Sequence, residues 1–218
     1  MQLITDEYKN LNAKLHEDNK HYGTSGSKYV KDVMRLAAQL KSQDILDYGC
    51  GKSTLAHNLP FKINQYDPCV AKYMALPEPA DIVVCTDVLE HIEPELIDNV
   101  LEHIAKMTKK AAYLVANTKP AIKTLADGRN AHILLRSPKW WVDKMFEFFN
   151  PITFVDNEGN VVFIVKSKEF KDEQKEEAKE NGQVDERRPT SGELETSAEP
   201  AAAPKPKPKH ASDFFVGI

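Results

Sequence analysis

Asp44-Ile45-Leu46-Asp47-Tyr48-Gly49-Cys50-Gly51-Lys52-Ser53 decides how the chain is read. A short apolar run ends in an acid, and two glycines spaced one residue apart follow. This pattern predicts a buried strand feeding a tight turn that opens a helix, here expected over Lys52 to Asn58. Glycine suits such a turn because it adopts positive φ and lets a ligand approach the backbone. Free N–H groups at the turn favour polar or anionic ligand groups.

The next strands strengthen the reading. Lys62-Ile63-Asn64-Gln65-Tyr66-Asp67-Pro68 ends in an acid twenty positions after Asp47. A carboxylate at the tip of a second strand can accept both hydroxyls of a ribose. A third apolar run, Asp81-Ile82-Val83-Val84-Cys85-Thr86, is followed by Asp87-Val88-Leu89-Glu90-His91-Ile92. Taken together, the Asp47-x-Gly49-x-Gly51 turn, Tyr66-Asp67-Pro68, and the run from Asp81 to Ile92 resemble the class I S-adenosylmethionine-dependent methyltransferases. The likeness covers about residues 20 to 167, and the short build is closest to compact bacterial or bacteriophage members.

The resemblance implies an α/β fold with a Rossmann-like, mostly parallel sheet closed by an antiparallel hairpin, and S-adenosyl-L-methionine as cofactor. Carried over, Asp67 and Pro68 stand at the ribose and Asp47 orients the turn and meets the cofactor's amino group. Gly49, Cys50 and Gly51 line the cofactor through their backbone. Thr86 and Asp87 lie near the sulfonium, with Asp87 catalytic, Val88 also binds the cofactor, and Tyr22 and Gly23 touch the methionine end. The chain departs from the family between Asp67 and Asp81, where a helix, a strand and a loop are compressed into thirteen residues that include Pro68, Pro77 and Pro79. A parallel strand needs a longer crossover, so the family's third strand is expected to be missing. The adenine side is then expected to be built from Val88, Leu89 and Ala71 to Leu76.

Elsewhere the residues speak for themselves. Residues 1–20 form an N-terminal arm, an amphipathic helix or loosely docked segment with Leu3, Ile4, Tyr8, Leu11 and Leu15 apolar. Helices are expected near Ser27 to Lys41, over Pro94 to Met107 with proline in the first turn, and over Ser137 to Phe149 with Ser137 as N-cap. Ala111 to Ala116 reads as a strand. Pro151 to Val155 and Val161 to Val165 read as a hairpin joined by Asp156-Asn157-Glu158-Gly159-Asn160.

The irregular stretch from Ala121 to Pro138 follows a strand end, where substrate contacts concentrate in open α/β sheets. Asn117, Arg129, Asn130 and His132 are the candidates for substrate binding. His132 is also a catalytic candidate, since an imidazole exchanges protons near neutrality; the alternative is packing against Trp140 or Trp141. Arg129, Lys119, Lys123 and Arg136 together could hold an anionic substrate; the alternative is a solvated basic loop. His91 and His103 fall on different elements, so no metal site is expected, and His103 is expected at the surface. The same holds for Cys50, Cys69 and Cys85, which lack Cys-x-x-Cys spacing and read as small buried thiols.

The chain has 218 residues, 41% of them hydrophobic, and a net charge of −4. That supports one core domain, expected over 21–168, and argues against a basic duplex-binding body. No apolar run of membrane-spanning length and no signal-peptide pattern occurs, so a cytoplasmic protein is expected, in host cytoplasm if viral. Residues 169–218 turn Glu/Lys-rich, then Pro-Lys repetitive, and are expected to be a disordered tail. Its apolar tip, Asp213 to Ile218, either docks into a protein partner or does nothing.

The acceptor is narrowed by missing motifs. Thr86-Asp87-Val88-Leu89 is not the Asn/Asp-Pro-Pro-Tyr of enzymes that methylate base amines, and Pro68-Cys69 is on the wrong strand for a cytosine C5 nucleophile. A DNA base is therefore disfavoured as acceptor, and a small molecule, nucleotide or sugar derivative is expected. The alternatives are an inactive cofactor-binding scaffold and an enzyme that cleaves S-adenosylmethionine. A nicotinamide dehydrogenase is disfavoured because Thr54 stands where Gly-x-Gly-x-x-Gly needs its third glycine.

Overall fold

A computed structural model describes residues 1–168; the expectations for 169–218 lie outside the described residues. The chain runs α1 (Asp6–Asp18), α2 (Val30–Leu40), β1 (Ile45–Tyr48), α3 (Thr54–Asn58), β2 (Asn64–Tyr66), β3 (Ala80–Thr86), α4 (Ile97–Met107), β4 (Thr108–Asn117), α5 (Pro138–Phe148), β5 (Phe149–Asn157) and β6 (Asn160–Ser167). Short 3-10 turns lie at Ser25–Tyr29, Ala71–Tyr73 and Leu89–His91.

The strands form one six-stranded sheet in the order β2-β1-β3-β4-β6-β5. β1 pairs in parallel with β2 and β3, and β3 in parallel with β4. β6 is antiparallel to both β4 and β5, which closes the sheet with a hairpin. Among the described residues the sheet ends at β2, as the short Asp67-to-Asp81 segment requires. The hairpin turn is tighter than expected: Asn157 pairs with Asn160, and Gly159 takes φ 111 between them.

Two cores explain the layering. Leu46, Val83, Cys85, Leu114 and Phe163 face α4 and α5, which contribute Leu101, Ile104, Trp141 and Met145. Ile45, Ile82, Val84 and Tyr113 face the other side, where Val33 and Leu36 of α2 and Leu55 of α3 cover them. The central strands are buried on both faces, hence their near-continuous apolar runs.

Most helix limits follow local chemistry. Ser137 accepts the Trp140 N–H at 3.2 Å and Pro138 opens α5, as expected. Ser137→Ala is expected to lower stability by about 1 kcal/mol, read by urea denaturation, with Ser137→Asp restoring it. Two limits differ. α4 starts at Ile97, not Pro94, because Glu93 is held outside the helix: its carboxylate accepts Thr5 Oγ1–H at 2.6 Å and Thr5 N–H at 3.0 Å. α3 starts at Thr54, not Lys52, because Ser53 takes φ 61 and extends the turn. His103, expected at the surface, is half-buried on α4, because its Nδ1 lies 2.9 Å from Tyr48 OH and its ring packs beside Tyr66.

Candidate functional site

The carboxyl ends of β1, β2, β3 and β4 open onto a cavity of about 470 Å³. The turn after β1 forms its floor. Gly49 and Gly51 hold φ 80 and 50. The N–H groups of Gly49 and Cys50 both donate to Tyr66 O, at 2.7 and 3.0 Å. Asp67 locks the turn from the other side, accepting Gly51 N–H on Oδ2 and Cys69 N–H on Oδ1, each at 2.9 Å. The backbone of Gly23 crosses the turn and accepts Lys52 N–H at 2.8 Å. Sequence had read Asp67 as a ribose acceptor alone; it is also the anchor of the turn.

Gly49, Gly51, Asp67, Pro68, Asp87, Val88, Tyr22, Gly23, Asn117 and His132 line the cavity, as the sequence reading selected. Asp47, Cys50 and Thr86 do not; each is buried behind the lining. Burial, and then the negative charge of Asp67, push the Asp47 carboxyl up to about 7. An acid whose pKa rises on folding binds its proton more tightly in the native state. Its stabilising contribution is therefore complete below about 4 and lost as pH rises through about 7. Asp47→Asn removes that loss. The melting temperature of this variant relative to wild type is expected to climb between pH 4 and 7 and level off above, in calorimetric scans.

Arg129 and Asn130 do not line the cavity. Arg129 pairs with Asp127 at 2.6 Å and lies over the Tyr8 ring. Asn130 staples its own loop, accepting from the N–H groups of Ala121 and His132 and donating to Ala121 O. The basic residues are not gathered: Lys119 pairs with Glu158 and Arg136 sits over Trp140, while Lys123 alone of the four faces the cavity. The segment expected on the adenine side is also elsewhere. Leu89 is fully buried, and Met74 and Leu76 are exposed, because Tyr73 ties the segment down by accepting Asp67 N–H at its carbonyl and Ser53 Oγ–H at its hydroxyl.

α1 supplies wall that the sequence reading missed. Tyr8, Asn12 and His16 are spaced four apart, share one helix face, and line the cavity. Tyr22 OH donates to Asn12 Oδ1 at 3.1 Å. Buried Tyr8 OH and His16 Nδ1 have no hydrogen-bond partner. The spacing was visible in the sequence, but the apolar stripe drew attention to Leu11 and Leu15 instead.

Just after β3, Asp87 adopts φ 56. Its Oδ1 accepts from Tyr29 OH and from Asn117 Nδ2, both at 2.9 Å. Asn117 also donates to Glu90 Oε1, so its amide ties the ends of β3 and β4 together. Glu90 is fully buried; burial first, then the Asp87 charge, raise its carboxyl to about 7. His91 Nδ1 lies 2.7 Å from Ala131 O and His132 Nδ1 lies 2.6 Å from Lys119 O. Both imidazoles are thereby fixed with the proton on Nδ1 and a lone pair on Nε2. Burial pushes His91 down to about 4. His132 packs edge-on against His91 at 4.7 Å between ring centroids, not against either tryptophan. Sequence reading grouped neither Glu90 nor His91 with His132, since only the return of the loop after β4 brings them together.

The three thiols are unpaired, and burial raises each, Cys69 to about 12. Among the described residues no helix is long and apolar enough to cross a membrane.

Residues 20–153 match the family described as a methyltransferase domain. No curated protein matches the chain by sequence. Among solved structures, the chain resembles Burkholderia thailandensis 1,6-didemethyltoxoflavin-N1-methyltransferase, which carries bound 1,6-didemethyltoxoflavin and S-adenosylhomocysteine. The identity is 13% and the TM-score 0.56, covering 77% of this chain and 92% of that one. DhpI in complex with SAH is similar at 14% identity and a TM-score of 0.51, covering 73% of this chain and 96% of that one. TehB from Haemophilus influenzae is matched at 12% identity and a TM-score of 0.47; the match covers 63% of this chain and 62% of TehB.

Proposed function

The chain belongs to the methyltransferase-domain family and uses S-adenosylmethionine; from that premise we propose that it methylates a small-molecule, nucleotide or sugar-type acceptor. One observation carries the reading. The glycine turn, locked by Asp67, and the group formed by Asp87, Asn117 and His132 line one cavity. A cofactor site and an acceptor site are thus adjacent.

The residues fit the cofactor. Glycine lets the neighbouring walls close on the turn: a Cβ at position 49 would stand 2.3 Å from Val88 Cγ2, and at position 51 it would stand 2.7 Å from Gly23 O. Buried Tyr8 OH and His16 Nδ1 offer polar atoms that a bound ligand would satisfy. When bound, the cofactor supplies a methyl group on a positively charged sulfur.

This chain's residues do the rest. Asp67 has lone pairs left, beyond its two backbone donors, for ribose hydroxyls. Pro68, Cys69, Val88 and Ile92, with Tyr8 from α1, form the apolar wall for the adenine ring in place of a third strand. Asp87, held by Tyr29 and Asn117, would hold its carboxyl group toward the sulfonium of a bound cofactor. Transfer gains chiefly from alignment of the acceptor. His132, with Nδ1 engaged, presents Nε2 as the basic atom on the acceptor side.

The test is incubation with methyl-labelled S-adenosylmethionine and a panel of small hydroxylated and nucleotide-like compounds, followed by mass spectrometry. Label on an acceptor with equal release of S-adenosylhomocysteine is the expected result. Label on none, with cofactor bound intact, contradicts the reading in favour of a binding scaffold. Cofactor breakdown without acceptor labelling contradicts it in favour of a cleaving enzyme.

A further inference from the structure

Glu90, His91 and His132 place three potential ligand atoms, two imidazole and one carboxylate, within 4.8 Å of one another. We infer that these three side chains form a binding site for one divalent first-row transition cation, which receives an oxygen of the methyl acceptor.

The cluster has the features of a built site. His132 Nε2 already lies 3.7 Å from Glu90 Oε1. Bonds of about 2.0–2.2 Å to a common cation put tetrahedral ligand atoms about 3.3–3.6 Å apart, so this pair is already near that spacing and the widest pair would close by about 1 Å. Both imidazoles donate Nδ1–H to backbone carbonyls, of Ala131 and Lys119. That outer hydrogen bond leaves Nε2 as the donor atom and orients the ring, as metal-ligating histidines require. Asn117 in turn fixes Glu90 through Oε1.

A second observation is independent of the spacing. Glu90 is 0% exposed, and its Oε2 has no hydrogen-bond partner. A buried carboxylate oxygen without a partner is costly unless a proton or a cation satisfies it. Among the described residues Glu90 pairs with no lysine or arginine, and a cation bound by this carboxylate and the two histidines would supply the missing charge.

Two imidazoles and a carboxylate suit Zn²⁺, Mn²⁺, Fe²⁺ or Co²⁺ better than Mg²⁺ or Ca²⁺, which prefer all-oxygen sets. Three protein ligands on one side leave open positions, the arrangement of a site that takes a further ligand. His91 and His132 line the same cavity as the glycine turn. An acceptor hydroxyl on the cation loses its proton to water at lower cost. Its oxygen then forms the C–O bond as the C–S bond of the sulfonium breaks, leaving a neutral thioether. This deepens the reading of methyl transfer and rests on it for the acceptor. His132 is then a cation ligand, not a lone base. The cation site itself stands without that reading.

The experiment is titration of chelator-stripped full-length protein with Co²⁺, followed by the visible d–d band and by calorimetry, and repeated with Zn²⁺. His132→Ala is the variant, since its side chain is partly exposed at 13%; His132→Gln is the second, in case alanine disturbs folding. S-adenosylhomocysteine is titrated in parallel on every sample. The expected result is one cation per chain, bound at least tenfold more weakly by both variants, while S-adenosylhomocysteine binds all three proteins alike. No Co²⁺ or Zn²⁺ binding at millimolar concentration overturns the inference. So does binding of equal strength in wild type and variants, which would place the ion on exposed histidines such as His21 and His57. Site-specific cation binding without S-adenosylhomocysteine binding would uphold the cation site and overturn the methyltransferase reading.

Discussion

Gly51→Ala weakens binding of S-adenosylhomocysteine by about 100-fold or more, in the outcome expected from the geometry of the turn. A left-handed φ costs a non-glycine residue about 1–2 kcal/mol. The new Cβ would also stand 2.7 Å from Gly23 O and 2.8 Å from Gly23 Cα. Those atoms are backbone, so no side chain can swing aside. Gly23 O is also the acceptor for Lys52 N–H, and Gly23 lines the cavity beside Gly51. Relief of the clash therefore moves the loop over the cofactor site. Gly128→Ala is the control: it also carries a positive φ, 88, but a Cβ there meets nothing within 4 Å. It should lose about 1 kcal/mol of stability and leave binding unchanged. Equal affinity of Gly51→Ala and wild type would show that the turn does not hold the ligand.

Asp67→Ala is expected to reduce affinity for both S-adenosylmethionine and S-adenosylhomocysteine by at least about 100-fold. The carboxylate accepts two backbone N–H groups, from Gly51 and Cys69, while it lines the cavity. Hydrogen bonds to a charged group contribute about 1.5–3 kcal/mol each, and about 2.7 kcal/mol corresponds to 100-fold in affinity. Alanine removes the ribose acceptor and leaves two N–H donors without their partner. Asp67→Asn keeps one acceptor oxygen and should fall between. The measurement is calorimetric, with circular dichroism to confirm that the variants fold.

The fold was legible because its deciding features are local. A buried run before Asp47, two glycines, an acid closing the next strand, and the Asn157–Asn160 hairpin each announce themselves in a few adjacent residues. The loss of a strand was legible by length alone. What stayed hidden depends on distant residues meeting. Asn130 and Arg129 sit beside His132 in sequence, yet local turns consume the first and Asp127 consumes the second. Glu90 and His91 become partners of His132 only because the loop after β4 folds back, with Leu134 N–H donating to Glu90 O at 3.0 Å. Tyr8 and Asn12 wall the cavity because Thr5 is fastened to Glu93, a contact that helical periodicity cannot reveal. The thirteen residues after Asp67 gave their length but not their path, since Tyr73 packs back on Ser53 and away from the cavity.

We propose that the cavity above the glycine turn is a working S-adenosylmethionine site despite the missing strand. Its most direct measurement is calorimetric titration of S-adenosylhomocysteine into the full-length wild-type protein, with Asp67→Ala beside it. The account predicts one ligand per chain at micromolar concentration, and no detectable heat of binding in the variant over the same range. No binding by wild type at millimolar ligand, or equal binding by both proteins, would contradict it.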